Sequence, residues 1–315
     1  MSRTYIIAEA GVNHNGSEEM AFALVDAAHV AGADVVKFQS FKAAKLASKT
    51  AEKANYQQQT TGSSESQLEM LKRLELSIDL HHRLKSYCEQ RQIAFLSTPF
   101  DSESLNFLVH ELSMATLKVP SGEVTNAPLL LAFARSGCEL IVSTGMASLA
   151  EVEDALGVLA WGMTAPMDAV PSADDFRRSW ADPAARALVT SRVSLLHCTS
   201  QYPAPIDEVN LNAMSTLAAA FGLRVGYSDH TPGITIPIAA TAMGAEIIEK
   251  HFTLDRSLEG PDHKASLQPD ELKAMIDGIR TVECARGDGV KALQASEVNT
   301  LAVARKSLVS LAPIV

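Results

Sequence analysis

The sequence has little of what marks secreted, nucleic-acid-binding or membrane-surface proteins. Its four cysteines, Cys88, Cys138, Cys198 and Cys284, are widely separated and form no C-x-x-C pair. Scattered cysteines favour reduced thiols in a cytoplasmic protein over a disulfide framework. Positive charge is also scarce, with 27 Lys and Arg against 37 Asp and Glu and a net charge of −10. This acidity argues against a polybasic surface for nucleic acid or for membrane lipid.

Long apolar runs are missing as well. The longest, residues 234–248, is too short to span a bilayer and contains Pro237, Gly244 and Glu246. The first residues show no charged segment followed by an apolar one, so we expect no signal peptide and a cytoplasmic location. No glycine-rich dinucleotide fingerprint and no phosphate-binding loop follows any predicted strand. This absence disfavours an open-sheet nucleotide-binding protein.

Eight short β-branched or apolar runs alternate with amphipathic segments along nearly the whole chain. The runs cover residues 5–12, 35–40, 94–100, 116–122, 139–146, 193–200, 224–230 and 247–253. Alternating strands and helices predict parallel pairing through right-handed crossovers, and eight such units predict a closed (β/α)8 TIM barrel. An open, doubly wound sheet is the alternative. We interpret residues 1–315 as one catalytic barrel, with a long region after the second strand (41–76) and an inserted loop (161–192).

Six predicted strands carry polar side chains on one face near their carboxyl ends. Side chains alternate between the two faces of a strand, so residues two apart share a face. Catalytic groups of barrel enzymes lie at the carboxyl ends, and burying many polar groups without a ligand is unfavourable. The pattern therefore predicts an active site, although any one of these residues alone also fits a structural ion pair. The residues are Glu9, Lys37, Gln39, Lys118, Ser143, Ser228, His230, Glu249 and His251.

Two of these residues, His230 and His251, fall at corresponding depths on the last two strands. Adjacent strands lie about 4.8 Å apart, so both rings can reach one cation at about 2.1 Å. Two protein ligands leave positions for water and substrate, an arrangement suited to Lewis-acid catalysis with Mn²⁺, Mg²⁺, Zn²⁺ or Fe²⁺. Asp229 or Glu249 could orient a ring. A packing role for each histidine is the alternative.

Ammonium and hydroxyl donors surround the same predicted barrel mouth. Together they could hold a phosphate and a carboxylate inside an otherwise acidic protein. A lysine at a strand end could instead form a Schiff base with a carbonyl substrate. The position of a lysine on the polar face of its strand does not distinguish anion binding from Schiff-base formation. The donors are Lys37, Thr98, Lys118, Ser121, Ser143 and Ser228.

Ten short motifs make the sequence resemble the sialic acid synthases, a family that includes N-acetylneuraminate, legionaminate and pseudaminate synthases. The matches follow the family order from residue 5 to about residue 310, which makes the resemblance far more specific than any one motif. The motifs are AEAGVNHNG (8–16), KFQ (37–39), STPF (97–100), KVPSGE (118–123), STGM (143–146), LHCT (196–199), YP (202–203), SDHT (228–231), EKHFT (249–253) and GPDHK (260–264).

The resemblance implies a transferase that condenses phosphoenolpyruvate with an N-acylated hexosamine such as N-acetylmannosamine and with water. The products would be a nine-carbon 2-keto-3-deoxy acid and phosphate, formed by C–O cleavage. It further implies a homodimer, Mn²⁺ or Mg²⁺ on His230 and His251, and a water near Glu9 that adds to the substrate. The implied phosphoenolpyruvate ligands are Lys37, Thr98, Lys118, Ser121, Ser143, Ser200 and Ser228, and the implied sugar contacts are Gln39, Glu123, Tyr202 and Asp262.

The chain also departs from the family pattern. Ser200 stands where relatives usually carry Asn, which weakens one expected phosphoenolpyruvate contact. We expect the antifreeze-like domain that usually follows the barrel to be absent, because the sequence stops at Val315. In the region 41–76, residues 64–67 predict a helix capping box, and residues 56–58 are candidate sugar contacts.

Two rival hypotheses remain open at this stage. One is an aldolase in which Lys118 or Lys37 forms an imine with its substrate. The other is a barrel that binds sugar acids without turnover.

Overall fold

The computed structural model describes residues 3–48, 51, 53, 58 and 65–312. Its centre is a sheet of eight parallel strands, which pair in the order β3-β2-β1-β8-β7-β6-β5-β4. Helices follow the strands on the outside, so the predicted TIM barrel is confirmed. The strands are β1 (Tyr5–Gly11), β2 (Val35–Ser40), β3 (Ala94–Pro99), β4 (Thr116–Val119), β5 (Glu139–Ser143), β6 (Val193–Cys198), β7 (Arg224–Asp229) and β8 (Ile247–His251).

The outer layer is helical, and short 3-10 turns follow several strands. A π-helical turn, Phe107–Glu111, continues the helix after β3. The described α-helices are α1 (Glu18–Ala31), α2 (Ala43–Leu46), α3 (Gln67–Leu74), α4 (Ile78–Arg91), α5 (Ser102–Asn106), α6 (Ala127–Arg135), α7 (Leu149–Thr164), α8 (Ala173–Ala181), α9 (Pro183–Arg192), α10 (Asn212–Phe221), α11 (Thr235–Ala242), α12 (Pro269–Ala285) and α13 (Val298–Ala304).

Local sequence explains where α1 begins and ends. The Ser17 hydroxyl accepts a hydrogen bond from the Met20 amide at the first turn, and Gly32 ends the helix in the left-handed conformation that favours glycine. Between them, apolar residues such as Leu24 and Val25 recur at helical spacing and are fully buried against the barrel. The same strand–turn–helix arrangement repeats around the barrel, which directs the loops after the strands to one end.

Most side chains of the strands are buried on both faces of the sheet. Phe38 and Tyr227 are among the largest fully buried residues. Parallel strands covered by helices are expected to be apolar on both sides, yet the carboxyl ends of these strands hold buried charged groups. Burial of charge at one end of the barrel is the feature that locates the candidate site.

Residues 161–192 do not form the predicted loop. The segment completes α7 and then forms α8 and α9. The α9 helix buries Ala185 and Val189, and the Phe176 ring of α8 lies edge-on to the Trp161 ring of α7, with centroids 6.0 Å apart. Its prolines and acidic residues indicate helix starts rather than a loop, since Ser172 and Asp175 form a capping box and Pro183 occupies the first turn of α9.

The predicted capping box of residues 64–67 also differs from the structure. The capping box that opens α3 is formed by Ser66 and Glu69. Ser64, Tyr56 and Gln57 lie outside the described residues, and the Gln58 side-chain amide donates to the Lys53 carbonyl oxygen. Gln58 therefore has a local partner within the region 41–76.

Among the described residues, the helices are all too short or too polar to cross a membrane. The described cysteines are unpaired, with Cys88, Cys138 and Cys198 buried and Cys284 exposed. The prediction of reduced, mostly buried thiols agrees with this arrangement.

Candidate active site

The register of the strands brings residues that are distant in sequence to one level of the barrel. Glu9 on β1 pairs with Lys37 on β2 and with His251 on β8, while Ser228 on β7 pairs with Glu249 on β8. Their side chains share the interior at the carboxyl end of the barrel. The predicted catalytic end is therefore where these polar groups meet.

Two buried carboxylates and two buried ammonium groups form a connected charge cluster. Lys37 Nζ lies 2.7 Å from Glu9 Oε2 and 3.4 Å from Glu249 Oε2. Lys118 Nζ lies 3.7 Å from Glu249 Oε1, so Glu249 bridges the two lysines. Each of the four residues is at most 5% exposed. Mutual pairing compensates the large cost of removing these charges from water.

Hydroxyl groups complete the surroundings of the cluster. Lys37 donates to Thr98 Oγ1 at 2.9 Å, and Lys118 donates to Ser143 Oγ at 2.6 Å. The Ser228 hydroxyl donates to Glu249 Oε1 at 2.8 Å. The structure thus brings together most of the residues that the sequence analysis assigned to anion binding.

The two carboxylates of the cluster have opposite pKa shifts. Burial and the nearby charge of Glu249 raise the pKa of Glu9 to about 7, against the opposing effect of Lys37. Burial also acts to raise the pKa of Glu249, but Lys118 and Lys37 outweigh it and hold that pKa below its usual value. A carboxyl group that titrates near neutral pH can exchange protons during a reaction.

The two lysines are also shifted in opposite directions. Burial lowers the pKa of Lys118, despite the nearby Glu249 carboxylate. Burial opposes the charge on Lys37 as well, but Glu249 and Glu9 outweigh it and raise the pKa of Lys37. Lys37 is therefore the more firmly cationic of the two groups.

The two predicted metal ligands lie side by side. The ring centroids of His230 and His251 are 5.6 Å apart. The His230 Nδ1 atom is 2.6 Å from the Thr199 carbonyl oxygen, so Nδ1 carries the proton and Nε2 keeps its lone pair. His251 Nδ1 is buried, has no hydrogen-bond partner among the described residues and lies 3.9 Å from Asp262 Oδ2. Burial lowers the pKa of both histidines, so both rings are neutral near pH 7.

This donor set fits a divalent cation. Two neutral imidazoles, His230 directly after β7 and His251 at the end of β8, supply lone pairs. Among the described residues His251 Nδ1 has no hydrogen-bond partner and lies beside a carboxylate, and burial raises the pKa of Asp262 to about 6. Within the described residues, no cluster of three or more His, Cys, Asp and Glu side chains has the arrangement of a metal site. Any cation here would therefore complete its coordination with water or substrate oxygens.

The implied sugar contacts are distributed around this pair. The Tyr202 ring lies over the His230 ring at a centroid distance of 4.1 Å, and the Gln39 amide donates to Glu9 Oε1 at 3.3 Å. Glu123 lies in the turn after β4, where its carboxylate accepts a hydrogen bond from Asn126. The structure therefore brings Gln39, Tyr202 and Asp262 into contact with Glu9 and the two histidines, and the described contact of the Glu123 carboxylate is with Asn126.

Ser121 and Ser200 line another wall of the mouth. Ser121 Oγ lies 3.1 Å from Cys198 Sγ and accepts a hydrogen bond from the Gly145 amide at 2.9 Å. Ser200 Oγ also approaches Gly145, where an added Cβ atom would lie 2.3 Å from it. The two serines therefore meet at the turn after β5.

The structure adds one role and two residues to the predicted site. Glu249 was predicted on the polar face of β8 as a group that could orient a histidine ring, whereas in the structure it connects both lysines. Cys198 and Gly145 complete the wall beside Ser121, and neither carries a charge that would have singled it out. Their neighbouring motifs, LHCT and STGM, were the available signal.

Comparisons with known proteins agree with this fold. Residues 24–291 match the NeuB family. The chain is 49% identical over 310 residues to an N,N'-diacetyllegionaminic acid synthase of Campylobacter jejuni, covering 98% of this chain and 85% of that protein. It is 46% identical over 304 residues to an N,N'-diacetyllegionaminic acid synthase of Legionella pneumophila, covering 96% and 79%.

A solved structure is similar over nearly the same length. The N-acetylneuraminic acid (sialic acid) synthetase of Leptospira borgpetersenii, in complex with citrate, superposes with a TM-score of 0.74 at 33% identity. The match covers 96% of this chain and 91% of that one.

Proposed function

The chain belongs to the NeuB family and is an enzyme of the sialic acid synthase type, and from this premise we propose that it condenses phosphoenolpyruvate with an N-acylated hexosamine and water. The products are a nine-carbon 2-keto-3-deoxy acid and phosphate. The observation that carries the proposal is the buried cluster of Glu9, Lys37, Lys118 and Glu249 beside His230 and His251. It supplies anion donors, a titratable carboxyl group and two neutral imidazoles at one end of the barrel.

The identity of the relatives supports a choice of sugar. The relatives at 49% and 46% identity named above are N,N'-diacetyllegionaminic acid synthases, whereas the N-acetylneuraminic acid synthetase of known structure is 33% identical. We therefore propose a hexosamine with two acylated amino groups as the preferred substrate. N-Acetylmannosamine is the alternative to be compared with it.

In this proposal the lysines and hydroxyl groups bind and orient phosphoenolpyruvate. Lys37 and Lys118 are paired with carboxylates and with Thr98 and Ser143. Charge-assisted hydrogen bonds from ammonium groups to phosphate are strong, and a dry site strengthens them further. Holding both substrates in place converts a slow bimolecular encounter into a reaction between adjacent groups.

In the proposed reaction C3 of phosphoenolpyruvate bonds to the aldehyde carbon of the sugar, and the aldehyde oxygen takes up a proton as its C=O π bond breaks. Water then adds at the electron-poor C2, and Glu9 is the proposed acceptor of the proton that this water loses. The Glu9 pKa, raised to about 7 by burial and the charge of Glu249, suits a group that takes a proton and returns it near neutral pH. Loss of phosphate breaks the bond from C2 to the phosphate oxygen, the C2 hydroxyl becomes the keto group, and its proton leaves with the phosphate. Gln39 holds the Glu9 carboxyl group in position through its hydrogen bond.

His230 and His251 are the proposed ligands of Mn²⁺ or, as the alternative, Mg²⁺. A divalent cation held there would supply Lewis-acid polarisation of the sugar aldehyde. The chain's own part is to keep both rings neutral through burial and to fix the His230 tautomer through the Thr199 carbonyl group. Tyr202 and Asp262 border the position that the sugar would take.

A phosphate-release assay tests the proposal. Phosphoenolpyruvate with either hexosamine and Mn²⁺ should release phosphate, and a chelator should stop the release. His251→Ala should lower kcat by roughly 1000-fold, since metal polarisation contributes several kcal/mol. His110→Ala changes an exposed histidine and should retain the wild-type rate. Wild-type turnover in His251→Ala would refute the metal assignment.

Isotope labelling tests the bond that breaks. In water enriched in oxygen-18, C–O cleavage leaves the released phosphate unlabelled, because the added water oxygen enters at C2. Labelled phosphate would contradict the proposed cleavage.

A Schiff-base aldolase is the second candidate, and one observation favours it. Burial lowers the pKa of Lys118, which would help its amine to act as a nucleophile. Under the main proposal, borohydride with substrate should label no lysine. Covalent labelling of Lys118 or Lys37 would support the aldolase instead.

A further inference from the structure

The turn that follows β5 contains a glycine whose position leaves no space for a side chain. A Cβ atom added to Gly145 would lie 2.3 Å from Ser200 Oγ, 2.7 Å from Cys198 Sγ and 2.9 Å from Ser121 Oγ. All three distances are shorter than a van der Waals contact. Three small polar side chains, one from the turn after β4 and two from the end of β6 and beyond, therefore converge on the space that any other residue would fill.

The backbone of this turn is tied to the strands on both sides. The Thr144 amide and the Thr144 hydroxyl both donate to the Leu196 carbonyl oxygen, at 2.9 and 3.0 Å. On the other side the Gly145 amide donates to Ser121 Oγ at 2.9 Å. Moving the turn outward to admit a methyl group would break these bonds in a buried place, which is unfavourable.

The side chains are therefore the part that would yield. Ser200 Oγ is the end of a short side chain that can rotate. The side chains of Ser121 and Cys198 would both have to move away from Gly145, and they would move as a pair because their Oγ and Sγ atoms are 3.1 Å apart. A methyl group would thus displace hydroxyl donors and leave the barrel itself in place.

These donors belong to the wall that continues into the charge cluster. Ser143, which accepts a hydrogen bond from Lys118, precedes Gly145 by two residues on the same strand end. Cys198 pairs with Ser228 between β6 and β7. The convergence at Gly145 therefore lies at the edge of the region that binds an anion in the proposed reaction.

We propose that Gly145 is a positioning residue of this enzyme, because its missing side chain holds the Ser121 and Ser200 hydroxyl groups where they bind the phosphoenolpyruvate anion. The inference rests on the proposed function, which supplies the anionic substrate. It predicts that one added methyl group disturbs phosphoenolpyruvate binding far more than sugar binding or folding.

The test compares Gly145→Ala with Gly122→Ala. Gly122 is an exposed glycine next to Ser121, and a Cβ atom added there would have no described atom within 4 Å. Gly145→Ala should raise the KM for phosphoenolpyruvate by roughly 10- to 100-fold, as expected for donors displaced by up to about 1 Å. The KM for the hexosamine and the Tm should stay close to wild type. Gly122→Ala should match the wild type in all three.

A second variant distinguishes the overlap between the added methyl group and Ser200 from a general disturbance of the site. Ser200→Gly removes the hydroxyl group closest to the added methyl group. If the two residues compete for one space, Ser200→Gly should raise the KM for phosphoenolpyruvate less in the Gly145→Ala background than in the wild type. Equal effects in both backgrounds, or an unchanged KM in Gly145→Ala, would overturn the inference.

Failure of the proposed function would be seen separately. If the wild type releases no phosphate, the proposed reaction is wrong, and calorimetric titration with phosphoenolpyruvate still decides the role of Gly145. Weaker binding to Gly145→Ala than to the wild type and Gly122→Ala would support it. Equal binding to all three would refute it.

Discussion

Glu249→Gln is the change that most directly tests the charge cluster. The substitution preserves the size of the side chain and an oxygen that can accept from Ser228, but it removes the charge shared by Lys37 and Lys118. Lys37 keeps Glu9 as a partner at 2.7 Å. Lys118 loses its one carboxylate neighbour within 4 Å among the described residues and retains only neutral acceptors.

The magnitude follows from burial. Removing one partner of a buried ion pair typically costs about 3–5 kcal/mol. Unfolding entropy is about 2.1 cal/mol/K per residue, or about 0.7 kcal/mol/K for the 315 residues of this chain. The Tm should therefore fall by roughly 5–8 °C.

Thermal and urea unfolding followed by circular dichroism measure the loss. Glu153→Gln makes the same chemical change on an exposed helix face and should leave the Tm within about 1 °C of wild type. Saturating inorganic phosphate should stabilise Glu249→Gln more than the wild type, because the anion compensates the unpaired ammonium group. A Tm equal to that of the control would refute the view that Glu249 neutralises both lysines.

Two further predictions concern stability. Burial lowers the pKa of His14 to about 4, below its value of about 6.5 in the unfolded chain. The contribution of neutral His14 to stability is therefore complete above pH 6.5 and is lost as the pH falls toward 4. From this residue, the free energy of unfolding should drop by about 2 kcal/mol between pH 7 and pH 5. In His14→Gln the urea midpoint should change less between pH 7 and pH 5 than in the wild type. An equal pH dependence of the midpoint in the two proteins would contradict the assignment. Ser66→Ala removes the capping box with Glu69 and should cost about 1 kcal/mol, a Tm decrease of roughly 1–2 °C. Ser86→Ala, exposed within α4, should not lower the Tm, and equal Tm values in the two variants would show that the cap contributes nothing.

The segment 161–192, which leads from the end of α7 to β6, was predicted as a loop from its local sequence but forms helices. Its proline and aspartate content favours a loop by composition, yet Pro183 and the Ser172 capping box are signals for helix starts. The Trp180 ring packs against Phe221 of α10, with centroids 6.1 Å apart. Contacts of this kind, between residues far apart in the chain, stabilise α8 and are not visible in the local sequence.

The sequence alone determined the alternation of strands and helices, the polar carboxyl ends of the strands and the placement of two histidines at the ends of the last two strands. These features depend on short-range periodicity, because a strand repeats every two residues and a helix every 3.6. Only the tertiary structure decided that Glu249 bridges Lys37 and Lys118, and that Ser121, Cys198 and Ser200 meet at Gly145. Those contacts depend on the register between strands and on the closure of the barrel, which arise from packing over the whole chain.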